Sequence, residues 1–258
     1  MRSTDCREET DADHRRRTAV HTVCDAELHH VYDRCMSQAS ADGRRSAAAT
    51  RRRKREQDIL SATRALFDQR GVKDVHIDDI AKAVGTNRAI IYRHFSGKDE
   101  LFALTLVTYL DELMATMGAL TEDDPEERLA AMVGTFVDYG TAHPAFVECA
   151  QMLMRRPGPE LFDEISEAAL FRLGRSIAGC LAIVSATLDA GVDQGRFKIA
   201  DTAMLANYMY ATGLGALQLA RVGLFIVEAA PGIPATERLA AGTVRDYLIH
   251  SSLTLARG

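Results

Sequence analysis

Tryptophan is absent from the sequence, and proline and aromatic residues are scarce. The 258 residues include six prolines, and aromatic residues make up 6% of the chain. No stretch alternates apolar and polar residues for long enough to predict a β-sheet. Alanine, leucine, methionine and arginine, which favour helices, are common instead. With 47% hydrophobic residues, the chain can build one or two packed domains, and we expect an all-α fold.

Cysteine is present, but without a pattern that indicates disulfides. The five cysteines are scattered and form no CxxC pair, and no apolar segment of the secretory type opens the sequence. We therefore expect a reduced, cytoplasmic protein. Histidines and cysteines do cluster between His21 and Cys35, but their spacing matches no common zinc finger. The sequence thus predicts neither a metal site nor a cofactor.

Motifs of common enzyme classes are missing as well. The sequence has no GxSxG, HExxH, Walker A or dinucleotide-binding glycine motif in the context that each requires, so we expect no enzyme. Residues 202–220 carry no charge, but they include Thr, Asn, Gln, Tyr and Gly side chains. This composition favours a helix buried in protein over a membrane span, and no membrane partner is expected.

Charge is distributed unevenly along the chain. Residues 51–98 contain 12 Lys and Arg against 6 Asp and Glu, whereas residues 99–258 contain 11 against 21. A basic segment joined to an acidic remainder indicates that one part of the protein binds a polyanion. Residues 1–50 are polar, and we interpret them as a flexible extension. Met36 within it is an alternative start of the native chain.

Three helices with short connections are predicted within the basic segment. The first begins near residue 50, and Gly71 ends it with a left-handed C-cap. A short helix over 77–84 is followed by the turn 85–87 and by a third helix that ends near His94. Two short helices joined by a three-residue turn that contains glycine are typical of a helix-turn-helix.

Residues 51–102 resemble the TetR family of bacterial transcriptional regulators. The resemblance is carried by Ile59-Leu60, Leu66-Phe67, Gly71, Ile80-Ala81, Gly85, Ile91-Tyr92-Arg93-His94-Phe95, Lys98 and Leu101. It implies an N-terminal three-helix DNA-binding domain over residues 51–98. A larger helical domain for effector binding and dimerisation would follow over residues 99–258. The resemblance also implies a homodimer that binds double-stranded DNA at a palindromic operator.

The third helix is the predicted recognition helix, because the major groove admits an α-helix. Ile91 and Phe95 are expected to pack inward, which turns Arg88 outward to pair with guanine. Lys98 is expected to contact a phosphate, and the run Arg51–Arg55 to contact the backbone or the minor groove. The full set of expected contacts is His76, Thr86, Asn87, Arg88, Ala89, Ile90, Tyr92, Arg93, His94 and Lys98.

Interpretations without DNA stay open for some of these residues. Tyr92 would also fit a half-buried core position, His94 a helix end, and Arg88 an ordinary solvated surface. Two positions depart from the family, because His76 stands where Thr or Ser is common and Asp78 where a basic or polar contact is frequent. We therefore expect base contacts from the recognition helix rather than from the helix before it.

The rest of the chain is expected to be helical over residues 96–120, 126–141, 145–155, 160–190, 201–228 and 236–255. Within the segment 201–228, Ala211 and Gly215 lie four residues apart and allow another helix to approach closely. The last two helices would pair with those of a second copy, as the resemblance implies. Burial of these helices inside a monomer is the alternative.

Methionine and aromatic residues on the intermediate helices predict an apolar pocket for a small effector, hydrophobic or acyl-type in character. The expected lining is Met114, Met117, Phe136, Tyr139, Met152, Met154 and Phe171, and the same residues would also fit a plain core. By family analogy the protein is a repressor that its effector releases from DNA. A structural DNA-binding protein without an effector is the alternative.

Overall fold

The computed structural model describes residues 48–155 and 163–258. The chain divides into two compact units, residues 1–56 and 57–258. In the first unit the described residues, 48–56, are helical, so the basic run at Arg51 lies within the first helix, whose predicted start near residue 50 is confirmed. The candidate zinc residues between His21 and Cys35 and the alternative start at Met36 lie outside the described residues.

Helices account for most of the described chain, which confirms the predicted all-α class. They are α1, residues 48–70; α2, Ile77–Ala83; α3, Arg88–His94; α4, Lys98–Gly118; α5, Pro125–Ala142; α6, Pro144–Met154; α7, Glu167–Asp193; α8, Thr202–Val222; and α9, Ala241–Arg257. The predicted ends of α2 to α6 agree with the structure to within two residues. One helix was predicted from residue 160, whereas in the described chain residues 163–164 are helical, residues 165–166 interrupt the helix, and α7 begins at Glu167.

The prediction of one helix over residues 201–228 was wrong at its C-terminal end. α8 ends at Val222, because Gly223 adopts a left-handed φ of +68° and breaks the helix. Two strands follow, β1 over Leu224–Ala230 and β2 over Ile233–Arg238, and α9 therefore begins at Ala241 rather than at residue 236.

The two strands form an antiparallel hairpin. Leu224 lies opposite Arg238, and Ile226 lies opposite Thr236. The turn contains Gly232 with φ of +78°, a conformation that glycine adopts without steric cost. β-Branched residues fit a pleated strand better than a helix, and β1 is rich in them and in other apolar residues. This composition was available in the sequence as a signal for a strand.

α1 packs on the following helices through the face that the sequence predicts. Ile59, Leu60, Thr63 and Phe67 are buried, at 4% exposure or less. The ring of Phe67 meets the ring of Phe102 on α4 edge to face, with 5.0 Å between the ring centres. α1 and α4 thus share one hydrophobic core with α2 and α3.

α4 is the central helix, and 12 of its 21 residues are buried. It packs along α7 and also contacts α5 and α6. By length and composition alone, α4 and α7 are apolar enough to cross a membrane. The core helices of soluble proteins satisfy the same criterion, and the apolar window of α4 is 61% buried inside the protein.

Candidate nucleic-acid interface and internal cavity

α2 and α3 form the predicted helix-turn-helix. α2 ends in a Schellman motif, in which the Gly85 N–H donates to the Lys82 carbonyl at 3.1 Å and the Thr86 N–H donates to the Ala81 carbonyl at 2.8 Å. Gly85 has φ of +64°, which residues with a side chain rarely adopt. The backbone of this turn therefore sets the direction in which the chain leaves α2.

Asn87 connects the turn to α3. Its side-chain oxygen accepts the Ile90 N–H at 3.1 Å, so Asn87 is the N-cap of the helix. Asn87 was expected to contact DNA, and the structure gives it a capping role. Its side-chain amide is exposed, so the two roles are compatible.

α3 has one buried face and one exposed face. Ile91 is 1% exposed and Phe95 is 2% exposed, which confirms the predicted packing pair. Arg88, Ala89 and Arg93 are exposed, and Tyr92 is 45% exposed. The half-buried members of the predicted contact set are Thr86, Ile90 and His94. The exposed face carries two arginines and no acidic residue, which suits contact with DNA.

Asp78 on α2 lies close to Arg88 on α3. The Arg88 Nε and an Asp78 carboxylate oxygen are 3.9 Å apart, and the guanidinium carbon lies 5.9 Å from the centre of the Tyr92 ring. The Arg88 and Asp78 side chains are 63% and 73% exposed, so the pair is weak in water. The guanidinium of Arg88 therefore lies between Asp78 and the Tyr92 ring and is only weakly bound there.

His76 and Lys98, two further predicted contacts, stand at helix starts. The backbone N–H of His76 donates to the Asp79 carboxylate at 3.0 Å, just before α2. A carboxylate in the first turn is favoured by the helix dipole. Lys98 is exposed at the start of α4, with its ammonium 4.9 Å from the centre of the Phe102 ring. Asp79 thus has a structural function, whereas the Lys98 ammonium remains accessible to solvent.

A polar cluster joins α1 to α4 and α5. Arg64 forms an ion pair with Glu112, and its guanidinium donates to the Tyr139 hydroxyl at 3.3 Å and to the Thr108 carbonyl at 3.3 Å. The guanidinium also lies 4.2 Å from the centre of the Tyr109 ring. The hydrogen bond from Arg64 lowers the pKa of Glu112, so the carboxylate stays ionised and the contact persists at neutral pH.

Two tyrosines extend this cluster. The Tyr109 hydroxyl donates to Asp68 of α1 at 2.8 Å, and burial together with that bond raises the pKa of Tyr109. The same Asp68 oxygen lies 4.0 Å from His143 Nδ1. The Tyr139 hydroxyl donates a hydrogen bond to the Tyr109 carbonyl at 3.1 Å. Tyr139, an expected effector contact, therefore belongs to the contact between α1 and the body.

A second polar contact connects α6 with the ends of α1 and α8. One carboxylate oxygen of Glu148 accepts the Val72 N–H at 3.1 Å, and the other pairs with Arg221 in the last turn of α8. The Glu148 side chain is 14% exposed, so water screens this pair only partly. Gly71, which ends α1 with φ of +81° as predicted, comes just before Val72. A shift of α6 or α8 would therefore act directly on the α1–α2 connection.

An apolar cavity of about 70 Å³ lies within the helical body. Helices α4, α5, α7, α8 and α9 line it with Leu110, Leu113, Met117, Leu129, Met132, Val133, Phe136, Cys180, Leu181, Val184, Ala206, Met209, Tyr210, Leu248 and Ser252. No charged side chain is among these described residues. Burial raises the pKa of Cys180 to about 11 and that of Tyr210 to about 12. Both groups are therefore neutral at pH 7.

Of the expected effector contacts, the structure brings Met117 and Phe136 to this cavity. Met114 instead packs its sulfur toward Gly179 on α7, and Met152 is half-buried against the main core. Phe171 is 72% exposed, and Met154, also expected in the lining, is 55% exposed. Contact of any of these residues with an effector stays a prediction.

Sequence reasoning missed the part of the lining that α8 provides. Ala206, Met209 and Tyr210 follow the i, i+3, i+4 spacing of one helix face, so they were identifiable as a buried stripe. The Tyr210 hydroxyl has no hydrogen-bond partner among the described residues. It is therefore available to a ligand in the cavity.

The outer face of α8 and the adjoining face of α9 are apolar and exposed. We call this surface the α8–α9 face. Its large side chains are Met204, Tyr208, Leu219 and Val222 on α8 and Tyr247 and Leu255 on α9, each at least 45% exposed. Ala211 and Gly215 are exposed on α8, and a side chain at Gly215 would meet no other atom of the chain. Several large apolar side chains exposed on one helix face are typical of an interaction surface.

The helix-turn-helix lies in the part of the chain that matches a known protein family. Residues 59–104 match the model of the family described as bacterial regulatory proteins, tetR family. This part of the chain is therefore similar to the helix-turn-helix region of the TetR family. The chain is 29% identical over 116 residues to the HTH-type transcriptional activator FasR of Mycolicibacterium smegmatis, over 44% of this chain and 53% of FasR. It is 34% identical over 96 residues to the HTH-type transcriptional regulator BetI of Ectopseudomonas mendocina, over 35% of this chain and 49% of BetI.

The chain thus spans about half the length of these curated relatives in the matched regions. Solved structures extend the likeness of fold over most of the chain. RolR in complex with resorcinol superposes with a TM-score of 0.59 at 17% identity, over 81% of this chain and 90% of RolR. The fatty acid degradation regulator FadR from Bacillus halodurans gives 0.52 at 17% identity, over 77% and 94% of the two chains. At these identities the likeness concerns the fold alone.

Proposed function

We propose that this protein is a cytoplasmic transcriptional regulator of the TetR family that binds a palindromic operator as a homodimer. Residues 51–98 would form its DNA-binding domain, and residues 99–258 its effector-binding and dimerisation domain. The observation that carries the proposal is α3, whose buried pair Ile91 and Phe95 leaves Arg88 and Arg93 on an exposed, basic face. A helix of this kind enters the major groove, where arginine pairs with guanine.

Arg88 is the proposed base-reading residue, and Tyr92, Arg93 and Lys98 are proposed contacts to the DNA backbone. Because the ion pair of Arg88 with Asp78 is exposed and weak, the guanidinium can leave the carboxylate for a guanine edge. Replacing Arg88 with alanine should relax base preference at one operator position by about 1–3 kcal/mol. Lys98→Ala, the matched control, should weaken all sequences alike and lower the salt slope by about one.

The α8–α9 face supports the dimer. A two-fold pair would cover Met204, Tyr208 and Leu219, and the small residues Ala211 and Gly215 would let the helices approach closely. Two recognition helices related by a two-fold axis bind half-sites separated by about one helical turn or a multiple of it. The operator is therefore expected to be palindromic.

The cavity supports an uncharged, largely apolar effector of the hydrophobic or acyl type. Its lining lacks charge, so an ionic ligand would lose its hydration without compensation. The free Tyr210 hydroxyl offers one hydrogen bond to a hydroxyl or carbonyl group of the ligand. The cavity of about 70 Å³ is small, since ligand pockets usually measure about 300–1,000 Å³. An effector must therefore widen it, and flexible methionines such as Met117 and Met209 allow this.

Widening the cavity would displace helices that contact the DNA-binding domain at two places. α4 and α5 line the cavity and also hold Arg64, and α8 lines the cavity and holds Glu148 through Arg221. Displacing these helices changes the position of α1 and of the α1–α2 connection. We propose that effector binding favours a dimer whose recognition helices no longer match the operator spacing, and so releases DNA.

The deciding experiment is selection of DNA sites from a random library with the full chain, followed by footprinting. A palindromic site whose affinity exceeds that of random DNA by about 10³-fold or more supports the proposal. Equal binding of all sequences would show a structural DNA-binding protein instead. A panel of phenols and fatty acyl compounds is then tested for release of the selected site, with Ala206→Leu as the variant that fills the cavity.

Repression is the proposed outcome of operator binding, and the curated relative FasR is named an activator. A reporter gene downstream of the selected operator separates the two modes. Lower reporter expression in the presence of the protein, restored by the effector, supports repression. Higher expression would identify an activator and overturn this part of the proposal.

A further inference from the structure

The hairpin of β1 and β2, which the sequence analysis did not predict, lies between the two helices of the α8–α9 face. We call residues 224–238 the hairpin arm. Its two ends meet, because the Leu239 N–H donates to the Gly223 carbonyl at 2.9 Å. Every described residue from 228 to 234 is exposed. Apart from its base, the arm therefore projects from the helical body.

The arm is apolar where it is exposed. Leu224 and Ile226 share one face of β1 and are 45% and 79% exposed, and Ile233 of β2 is 59% exposed. A two-stranded hairpin alone is marginally stable in water, and a third layer is usually needed to stabilise it. Exposed aliphatic residues on both strands therefore indicate that another surface covers the arm in the working protein.

An apolar groove of about 690 Å³ lies beside the arm. It runs between α8, the base of the arm and α9, and its walls include Leu219, Phe225 and Tyr247. One chain thus carries both an apolar projection and an apolar groove. Glu237 and Arg238, of opposite charge, also line the groove. Such a patch is self-complementary, which is what a two-fold contact between identical chains requires.

We propose that the hairpin arm is a dimerisation clasp that packs into the groove of a second copy of this chain, with Ile226 as its central apolar contact. The second copy is the occupant because the arm continues the α8–α9 face without a break, at the end of α8. In a two-fold pair each arm fills the other chain's groove, and Glu237 of one copy meets Arg238 of the other. The inference rests on the proposed dimer and assigns a particular part of its interface.

The test compares the full wild-type chain with three variants of it by sedimentation equilibrium. In the first variant a short Gly-Ser turn joins Gly223 to Leu239 in place of the arm, since the ends of the arm already lie together. The second is Ile226→Glu. The third, Phe171→Glu, is the matched control, because Phe171 is an exposed apolar residue (72%) on α7 and belongs neither to the arm nor to the α8–α9 face.

Arm excision and Ile226→Glu should each raise the dimer dissociation constant on the order of tenfold or more, with an unchanged helical circular dichroism spectrum. Phe171→Glu should leave the constant unchanged. If both arm variants dimerise with the dissociation constant of the wild type, the clasp is overturned. The proposed regulator is unaffected by that result. A monomeric wild-type protein that binds its operator as a monomer would overturn the proposed dimer as well. Hydrogen exchange adds a second readout, because the β1 amides should gain protection only above the dissociation constant.

Discussion

The helix-turn-helix and the helical body of this protein are stabilised in different ways. α2 and α3 have seven residues each, and local signals define them: the glycine turn, the Asn87 cap and one packing pair. The body consists of long helices around a cavity, and contacts distant in sequence hold it together. The difference shows that local signals define the helix-turn-helix, whereas packing between distant residues defines the body and encloses its cavity.

The two regions are connected by polar contacts in addition to apolar packing. Arg64 with Glu112, and Glu148 with Val72, each place a charged group between the DNA-binding helices and the body. Hydrogen bonds of this kind depend strongly on distance and angle. A small displacement in the body can therefore change them, although it would leave apolar packing nearly unaffected.

The largest loss of stability is expected when one buried side chain of the Ile91 and Phe95 pair is removed. Phe95→Ala deletes a side chain that is 2% exposed, and such a deletion costs about 3–5 kcal/mol. We expect loss of operator binding and early melting of the DNA-binding helices, measured by hydrogen exchange. Tyr92→Ala, on the exposed face of the same helix, serves as the control and should leave stability within about 0.5 kcal/mol. Equal destabilisation by both variants would contradict the two-faced helix.

Glu148 tests the contact between the two regions. Glu148→Ala leaves the buried Val72 N–H without its acceptor, which costs about 1–3 kcal/mol, and also removes the Arg221 ion pair. We expect the DNA-binding helices to open more readily while the body keeps its melting temperature. Operator release should also require more effector.

Glu148→Gln is the companion variant, because its carbonyl oxygen can still accept the Val72 N–H while the ion pair is lost. It should fall between the wild type and Glu148→Ala. Uniform destabilisation of the whole chain by either variant would argue against a specific connection between the two regions.

Gly85 tests the local design of the turn. A side chain at Gly85 would meet no atom within 4 Å, so the only cost of Gly85→Ala is its φ of +64°, about 1–2 kcal/mol. Gly97 also has open space but an extended backbone with φ of −171°, so Gly97→Ala should be close to neutral. Chemical denaturation of both variants measures the contrast, and equal effects would contradict a backbone origin.

Glu100 at the start of α4 should give the smallest effect, visible mainly as a pH dependence. Burial alone would raise the pKa of Glu100, but hydrogen bonds from Ser96 and Ser166 outweigh it and lower the pKa below the ordinary 4.5. A carboxyl with a lowered folded-state pKa stabilises the protein above its unfolded-state value of 4.5, and this contribution is lost as the pH falls through the lower folded-state pKa.

Glu100→Gln should therefore lower the stability at pH 5 to 7, where the ionised carboxylate contributes, and flatten the acid limb of the stability curve below about pH 4.5. Thermal melts from pH 3 to 7 measure this. An unchanged acid limb in the variant would show that other carboxyl groups dominate it.

Much of the DNA-binding region was predictable because its signals are short-range. Gly71 and Gly85 adopt the left-handed conformations expected of them, and Ile91 and Phe95 are buried as their spacing indicates. The cavity was only partly predictable. Met117 and Phe136 line it, whereas Met152 packs elsewhere and Phe171 is exposed.

The sequence by itself determined where the helix-turn-helix lies, which face of α3 is buried and that the fold is helical. Capping, turn glycines and helical periodicity act over a few residues, so they can be recognised without the partner surfaces. Only the tertiary structure decided which apolar stripes enclose the cavity and that residues 224–238 form a hairpin instead of more helix. Periodicity identifies an apolar face, but the element that covers this face depends on contacts between residues far apart in the chain.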